Sequence, residues 1–338
     1  MTRKTRLSPL FLVIFGVCMV SYSGPMVKGA LQAGANPASI AMLRMLSAGG
    51  ILALWGWAAA AVPSSREAAG KKEQPKREAG PGIQFWLVGL ASLFLAGHYL
   101  AWIFSLTGVS TFASVALVST QPLFVSLFGY LLFREVIPRR AVPGAALALL
   151  GALLIALAAA KSADGVIAAP GPVGTENMLA SSAAAGPQGV STPAAASAAA
   201  LLGAALMAAH WLTARRVRAF LPARIYTPAL YLATGLILAL SVPFVGGFRM
   251  PAEALPYMAG LVLGSTLLGH ALFSSVIGIV SPSVISFALL GEPLGAMLFA
   301  MLFLSEFPSL WVLAGGVVTL LGLCLYLTRT RTDADSKA

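Results

Sequence analysis

Charge is scarce in this chain. Of 338 residues only 10% are Asp, Glu, Lys or Arg, against 58% hydrophobic, and the mean hydropathy is +0.87. That leaves too little polar surface to coat a soluble globule of this length, so the chain belongs in a bilayer. Cysteine is nearly absent as well. Cys18 and Cys324 both fall in apolar runs and suggest neither a disulfide framework nor a metal site. Histidine is confined to His98, His210 and His270, and no zinc-ligand spacing occurs, so no metal and no cofactor are expected. No Gly-x-x-x-x-Gly-Lys-Ser/Thr phosphate loop is present, which argues against nucleotide hydrolysis by that route. A secondary carrier or facilitator is the energetic class that remains.

What the chain has in abundance is apolar runs. A spanning helix needs about 20 mostly apolar residues, and ten stretches qualify: 8–27, 38–61, 83–106, 111–132, 142–160, 196–214, 226–246, 256–277, 283–303 and 308–328. They are near-continuous rather than alternating, which favours helices over an outer-membrane barrel. Arg3, Lys4 and Arg6 before the first run resemble a signal peptide, but the run is long for a signal core and reads as a spanning helix.

The net charge of +11 raises the question of a nucleic-acid partner, and the positions of the charges answer it. With the amino terminus in the cytoplasm, 18 of the 22 Lys and Arg residues fall on the cytoplasmic side, at 3–6, 66–77, 134–140, 215–224 and 329–337. The positive-inside rule thus orients the chain, with both termini cytoplasmic, and no nucleic-acid partner is expected. Only Lys28, Arg44, Lys161 and Arg249 remain elsewhere. The Ala-, Gly- and Arg-rich composition points to a bacterium, hence to a multi-pass protein of its inner membrane.

The sequence also repeats itself. Ser119-Thr120-Gln121-Pro122, followed by an apolar run to Arg134-Glu135, matches Leu290-Gly291-Glu292-Pro293 and a run to Ser305-Glu306. A shift of 171 residues carries Pro122 to Pro293, Glu135 to Glu306, Gly144 to Gly315 and Gly151 to Gly322. Five helices per unit is an odd number, so the second unit enters from the opposite side and the repeats are inverted. Arg134, Arg139 and Arg140 border one turn, whereas the matching turn at 305–309 holds no basic residue, as expected if the two face opposite sides. The fold class expected is therefore all-α, with ten transmembrane helices in two inverted five-helix repeats. The first repeat occupies 1–160, including a mixed-charge cytoplasmic loop at 62–82; an Ala-, Gly-, Pro- and Ser-rich outer linker spans 161–195; the second repeat with a cytoplasmic tail spans 196–338.

These residues resemble a known family. Ser114 through Gly151, including Ser119-Thr120-Gln121-Pro122 and Phe133-Arg134-Glu135, is similar to the EamA domain of the drug/metabolite transporter superfamily. So is the second unit, where Gly269-His270-Ala271-Leu272-Phe273 leads to Gly291-Glu292-Pro293 and Glu306. The resemblance covers roughly 8–160 and 196–328. It implies a ten-helix inner-membrane carrier of amino acids, other small metabolites or drugs, often working outward. One departure is plain: family members with this Gly-His pattern often carry Asn where this chain has Ser274.

The candidate site is read from the residues themselves. Glu292 lies mid-membrane, where an ionised carboxylate is costly, so it must be paired, hydrated or protonated. Pro293 after it frees the carbonyl of Leu289, and Gln121-Pro122 does the same to Val118. Two polar side chains beside two helix breaks suit a midplane substrate site, with Pro122 and Pro293 as gating elements and Glu292 as the proton-coupling residue if transport is coupled. The bland alternative is a kink plus an interhelical bond. His98, Trp102 and Ser105 share one helical face, and His270, Phe273, Ser274 and Ile277 another, offering an aromatic wall with a polar handle. The alternative is packing, with Gly97 and Gly269 allowing close approach and each His bonding a neighbour, and for a lone His packing is favoured. Lys28 and Arg44 are read first as snorkelling to the interface and only second as steering an anionic substrate group. His210 either contacts the cavity or sits in an interfacial belt. Glu135 and Glu306 are expected to be structural, and Ser23-Gly24-Pro25 to kink the first helix. An intramembrane enzyme using Ser110 has no motif support, and a non-transporting scaffold or sensor is the other rival. The expected partners are a small-molecule substrate and the lipid bilayer. Oligomeric state is not readable, because Gly315, Gly316 and Gly322 suit packing within one chain or between two.

Overall fold

The computed structural model describes residues 9–61, 81–134, 139–162, 192–270 and 289–335, and all regular structure among them is helical. The 62–82 loop and 161–195 linker fall almost wholly outside the described residues, as does Glu135. The first membrane run is split: α1 (Pro9–Ser21) gives way to α2 (Ser23–Gln32) at Tyr22. Where a kink was expected at Ser23-Gly24-Pro25, there is a one-residue irregularity at Tyr22, through which the helical bonds to Cys18 O and from Met26 N–H continue. Long helices follow, α3 (Pro37–Ala61) and α4 (Pro81–Ser105). The fourth run is again two pieces, α5 (Thr111–Val118) and α6 (Gln121–Phe133), joined through Ser119-Thr120. Then come α7 (Val142–Ser162), α8 (Pro193–Val217) and α9 (Ala223–Ser241).

Beyond a short turn, α10 (Leu255–Gly260) runs into a π-helical segment, Leu261–His270. α11 (Glu292–Leu304) and α12 (Leu310–Asp335) complete the chain. Eight helical stretches are long and apolar enough to cross a membrane, and Glu292–Leu304 is a shorter apolar helix. These eight coincide with eight of the ten runs in the sequence. The other two, 256–277 and 283–303, are each described only in part, because 271–288 lies outside the described residues.

The distribution of side chains is that of a protein in lipid. Large apolar groups such as Trp55, Leu132, Leu302 and Trp311 are exposed on the outside, while Arg44, His98, Ser105, Thr234 and Thr266 are buried. Lipid supplies no solvent-driven attraction between helices, so close packing must hold them, and small residues make it possible. The α7–α12 pair shows this best. A Cβ on Gly315 would meet the backbone N of Ile155 at 2.9 Å and the carbonyl O of Gly151 at 3.0 Å. Gly151 lies likewise against Gly315 and Thr319, and Gly144 against Gly322 and Tyr326. The helices run antiparallel, and the 171-residue shift exchanges the Gly144–Gly322 contact for the Gly315–Gly151 contact. Gly316 is covered by the Phe112 ring. These glycines therefore pack within one chain.

The same shift maps α6 onto α11 from first residue to last. Both helices end in a left-handed residue that is not glycine, Arg134 at φ 55° and Ser305 at φ 52°. A residue there carries a backbone cost of about 1–3 kcal/mol.

Because only hydrogen fits between α7 and α12, Gly151→Ala is expected to destabilise the protein by about 1–3 kcal/mol. Gly89 has open space around it, and Gly89→Ala is expected to be neutral or stabilising by up to about 1 kcal/mol. Thermal unfolding of both variants in detergent checks the contrast.

Candidate functional site

The most heavily constrained polar group is Arg44, about two turns into α3 and only 1% exposed. Its guanidinium gathers three hydroxyls. Nε donates to Thr266 Oγ1 at 2.9 Å, Nη1 to Ser23 Oγ at 3.1 Å and Nη2 to Ser265 Oγ at 3.4 Å. Thr266 passes its own hydrogen to Leu261 O, five residues back, so its lone pairs are left to face the cation. Aromatic faces complete the enclosure, with Arg44 Cζ 4.8 Å from the Tyr99 ring centre and 5.8 Å from that of Trp102. The snorkelling expected of Arg44 is not what the structure shows. The residue is some 10 Å along the helix from Pro37 at a rise of about 1.5 Å per residue, and its head turns inward.

Two helix irregularities place those hydroxyls. Ser23 opens α2 at the α1/α2 break, and Ser265 and Thr266 lie within the π segment. π-helical turns are rare and concentrate at functional sites. No carboxylate lies within ion-pair distance of Arg44 among the described residues, and 271–288 contains no acidic residue in its sequence. Glu292 is within electrostatic reach of the guanidinium.

Glu292 and Gln121 are each the first residue of their helix, partly buried, with Pro293 and Pro122 as the second residue. The prolines therefore do not kink continuous helices. They start new ones after two-residue turns, Ser119-Thr120 and Leu290-Gly291, where a missing N–H is harmless. The interruption falls where the freed carbonyls were expected: α5 ends at Val118, and Leu289 is the last helical residue before its turn. A carboxylate in a first helical turn is favoured by the positive end of the helix dipole.

His98 and Trp102 come together on α4, both buried, with rings stacked 6.1 Å apart and inclined by only 6°. Tyr99 meets His98 edge-on at 5.1 Å. His98 Nδ1 lies 2.9 Å from Gly203 O on α8, and His210 Nδ1 on α8 lies 2.9 Å from Ala91 O on α4. A carbonyl can only accept, so each imidazole donates through Nδ1. The two bonds run in opposite directions across one antiparallel helix pair. This is the packing reading of His98, and it also accounts for His210. Ser105 is engaged with Trp102 O and Ser114 Oγ. His270 ends the π segment, and its side chain and the whole of Ser274 lie outside the described residues.

Two other polar residues have structural partners. Glu306 accepts from the backbone N–H and hydroxyl of Thr111, at the start of α5, which is the structural role expected of it. Lys28 donates to Val109 O at 2.8 Å beside Glu306, so it bonds inward rather than snorkelling. Ser110 caps α5 by accepting from Ala113 N–H at 3.2 Å, a use of that serine unlike nucleophilic catalysis.

Residues 7–157 match the model of the EamA-like transporter family, which belongs to the drug/metabolite transporter superfamily. Residues 7–157 are thus similar to an EamA unit. A search of curated proteins gives no match. Among solved structures, one described only as "Crystal structure of protein" superposes with a TM-score of 0.55 at 17% identity, covering 96% of this chain and 99% of the other. That likeness is one of fold. The matched region contains Arg44, Tyr99, Trp102 and Gln121, while Ser265, Thr266 and Glu292 lie beyond it.

Reading the sequence undervalued Arg44 and did not single out Tyr99, Ser265 or Thr266. A usable signal was there: a hydroxyl pair, Ser265-Thr266, in an apolar run, and an arginine several residues inside another. Thr266→Val, which leaves Arg44 Nε without its shortest acceptor, is expected to cost about 1–3 kcal/mol. Thr266→Ser should recover most of the loss. Chemical unfolding of the two variants in mixed micelles separates them, and equal stability would mean the bond is not felt.

Proposed function

We propose that this protein is a secondary transporter of small metabolites, working by alternating access across a bacterial inner membrane. In this reading ten helices form two inverted five-helix repeats, both termini are cytoplasmic, and the cargo sits mid-membrane between the repeats. The observation that carries the proposal is the matched pair of helix starts. α6 and α11 begin with Gln121-Pro122 and Glu292-Pro293, span equal lengths under the 171-residue shift and end in left-handed residues. Interrupted helices that present polar groups and unpaired backbone N–H groups inside the membrane are how carriers make ligand sites without exposing backbone to lipid. The antiparallel α7–α12 contact, whose glycine pairs exchange under the same shift, supports the inverted arrangement.

The EamA-like family is a transporter family, which supports carriage over catalysis. We assign the substrate-facing roles to Gln121, Glu292, Trp102, His98, His270 and Ser274, with Pro122 and Pro293 as fixed points about which the half-helices reorient. His98 has one ring nitrogen committed to Gly203 and only the other to offer. Amino acids or related compounds and drugs, moved outward, are the cargo and direction the family resemblance implies. Glu292 is the residue assigned to proton coupling, since a carboxyl at a helix break can exchange a proton as access alternates.

Reconstitution into liposomes tests this reading. A screen of amino acids, small metabolites and cationic drugs by thermal shift supplies a ligand, and its flux is then followed with and without an imposed pH gradient. Glu292→Gln is expected to lower flux about tenfold or more, roughly 1.4 kcal/mol of barrier, and to remove its response to the gradient. A variant that transports and responds like the parent would falsify the role of Glu292. A parent that binds ligands yet never moves them would favour a sensor.

A further inference from the structure

We propose that Arg44 is the cargo-recognition cation of this protein, and that the cargo carries a carboxylate on a flat apolar body. The inference rests on the carrier reading above and narrows its substrate class.

A guanidinium 99% removed from solvent is costly unless an anion answers it. In this structure its hydrogen-bond partners are neutral hydroxyls. The side-on Nε bond to Thr266 is firm at 2.9 Å, but the two terminal nitrogens hold theirs at 3.1 and 3.4 Å. Arginine pairs with carboxylates through two parallel bonds near 2.7–2.9 Å, so the terminal edge is served below its capacity. Ser23 and Ser265, which occupy that edge, stand on different elements, α2 and the π segment. Neither belongs to α3, so a shift of either one against α3 uncovers the edge while Thr266 keeps the guanidinium oriented.

The surroundings favour a particular kind of anion. Tyr99 and Trp102 lie against the guanidinium and His98 stacks on Trp102, a wall that suits a planar apolar group beside the charge. Glu292 is a carboxyl within electrostatic reach of Arg44 among the described residues. It would repel a second negative charge on the cargo, so one carboxylate fits and a dianion does not. The same cation disfavours cargo whose sole charge is positive.

The test uses the intact purified protein and four probes: phenylacetate, its neutral isostere phenylacetamide, the cation phenethylamine, and inorganic phosphate as a bare oxyanion. Affinity is read by titration calorimetry in detergent, and flux in proteoliposomes. The expected result is binding of phenylacetate, with phenylacetamide about 10- to 100-fold weaker, the range of a charge-assisted hydrogen bond. Phenethylamine and phosphate are expected to be weaker still. This comparison needs only the parent protein, so it does not depend on whether a variant folds. Arg44→Lys, which keeps the charge but not the planar edge, is expected to lose most of the preference for the acid over the amide. Equal affinity for acid and amide, tighter binding of phenethylamine, or no binding of phenylacetate would each overturn the proposal. Binding of phenylacetate without flux would instead leave Arg44 as a recognition residue and remove the carrier reading. Flux of phenethylamine with no binding of phenylacetate would do the reverse.

Discussion

Lipid offers no water to a polar group, so each one must find its partner inside the protein. Arg44 imposes that constraint most strongly. Its charge cannot be left alone, and its partners come from α2, the π segment and the aromatic residues of α4. Three elements, from both halves of the chain, are thus referred to one guanidinium. The π geometry of Leu261–His270 fits this demand: widening the helix brings Ser265 and Thr266, consecutive residues, to neighbouring nitrogens of the same group. In an ordinary helix consecutive side chains point about 100° apart.

Elsewhere polar bonds and small residues act together. The α4–α8 pair is closed by two histidines that each reach the opposite backbone, His98 to Gly203 and His210 to Ala91. The α7–α12 pair uses no such staple and relies on glycines that bring the backbones into contact. Such rigid pairs are the bodies a carrier needs if alternating access is the motion of one unit against another. The broken runs, α1/α2, α5/α6 and the segment before α11, are where reorientation would be absorbed.

Much of this was legible from residue order because membrane helices follow a rule with few exceptions. Eight apolar runs became helical stretches long enough to span, and the Gln-Pro and Glu-Pro steps fell at interruptions, as helix starts where kinks were expected. The 171-residue register carried through to the left-handed residues at Arg134 and Ser305. What was not legible came from contacts remote in sequence. Arg44 meets Ser265 and Thr266 more than 200 positions away, and no local pattern says whether an arginine inside a helix turns inward or reaches for the interface. The π segment was hidden for a similar reason, since its composition is that of any apolar helix. His98 was legible only as a pair of alternatives, because the residue that distinguishes them, Gly203, lies on another helix.

Glu292 and Glu306 show how far residue type falls short of role. They sit at opposite ends of one helix and its turn, so chemistry and distance along the chain differ little. Glu306 is answered by the backbone and hydroxyl of Thr111, with Lys28 close by, and its charge is spent on holding the start of α5. Among the described residues none hydrogen-bonds the Glu292 carboxyl. Arg44 attracts it across a gap while holding hydroxyls of its own. A partly buried carboxylate with no hydrogen bond among the described residues and a buried guanidinium held only by hydroxyls form a pair that a charged ligand or a proton can separate at modest cost. The same two groups in direct contact would stabilise one conformation and resist both, so their separation is the arrangement expected where a site must be entered and left.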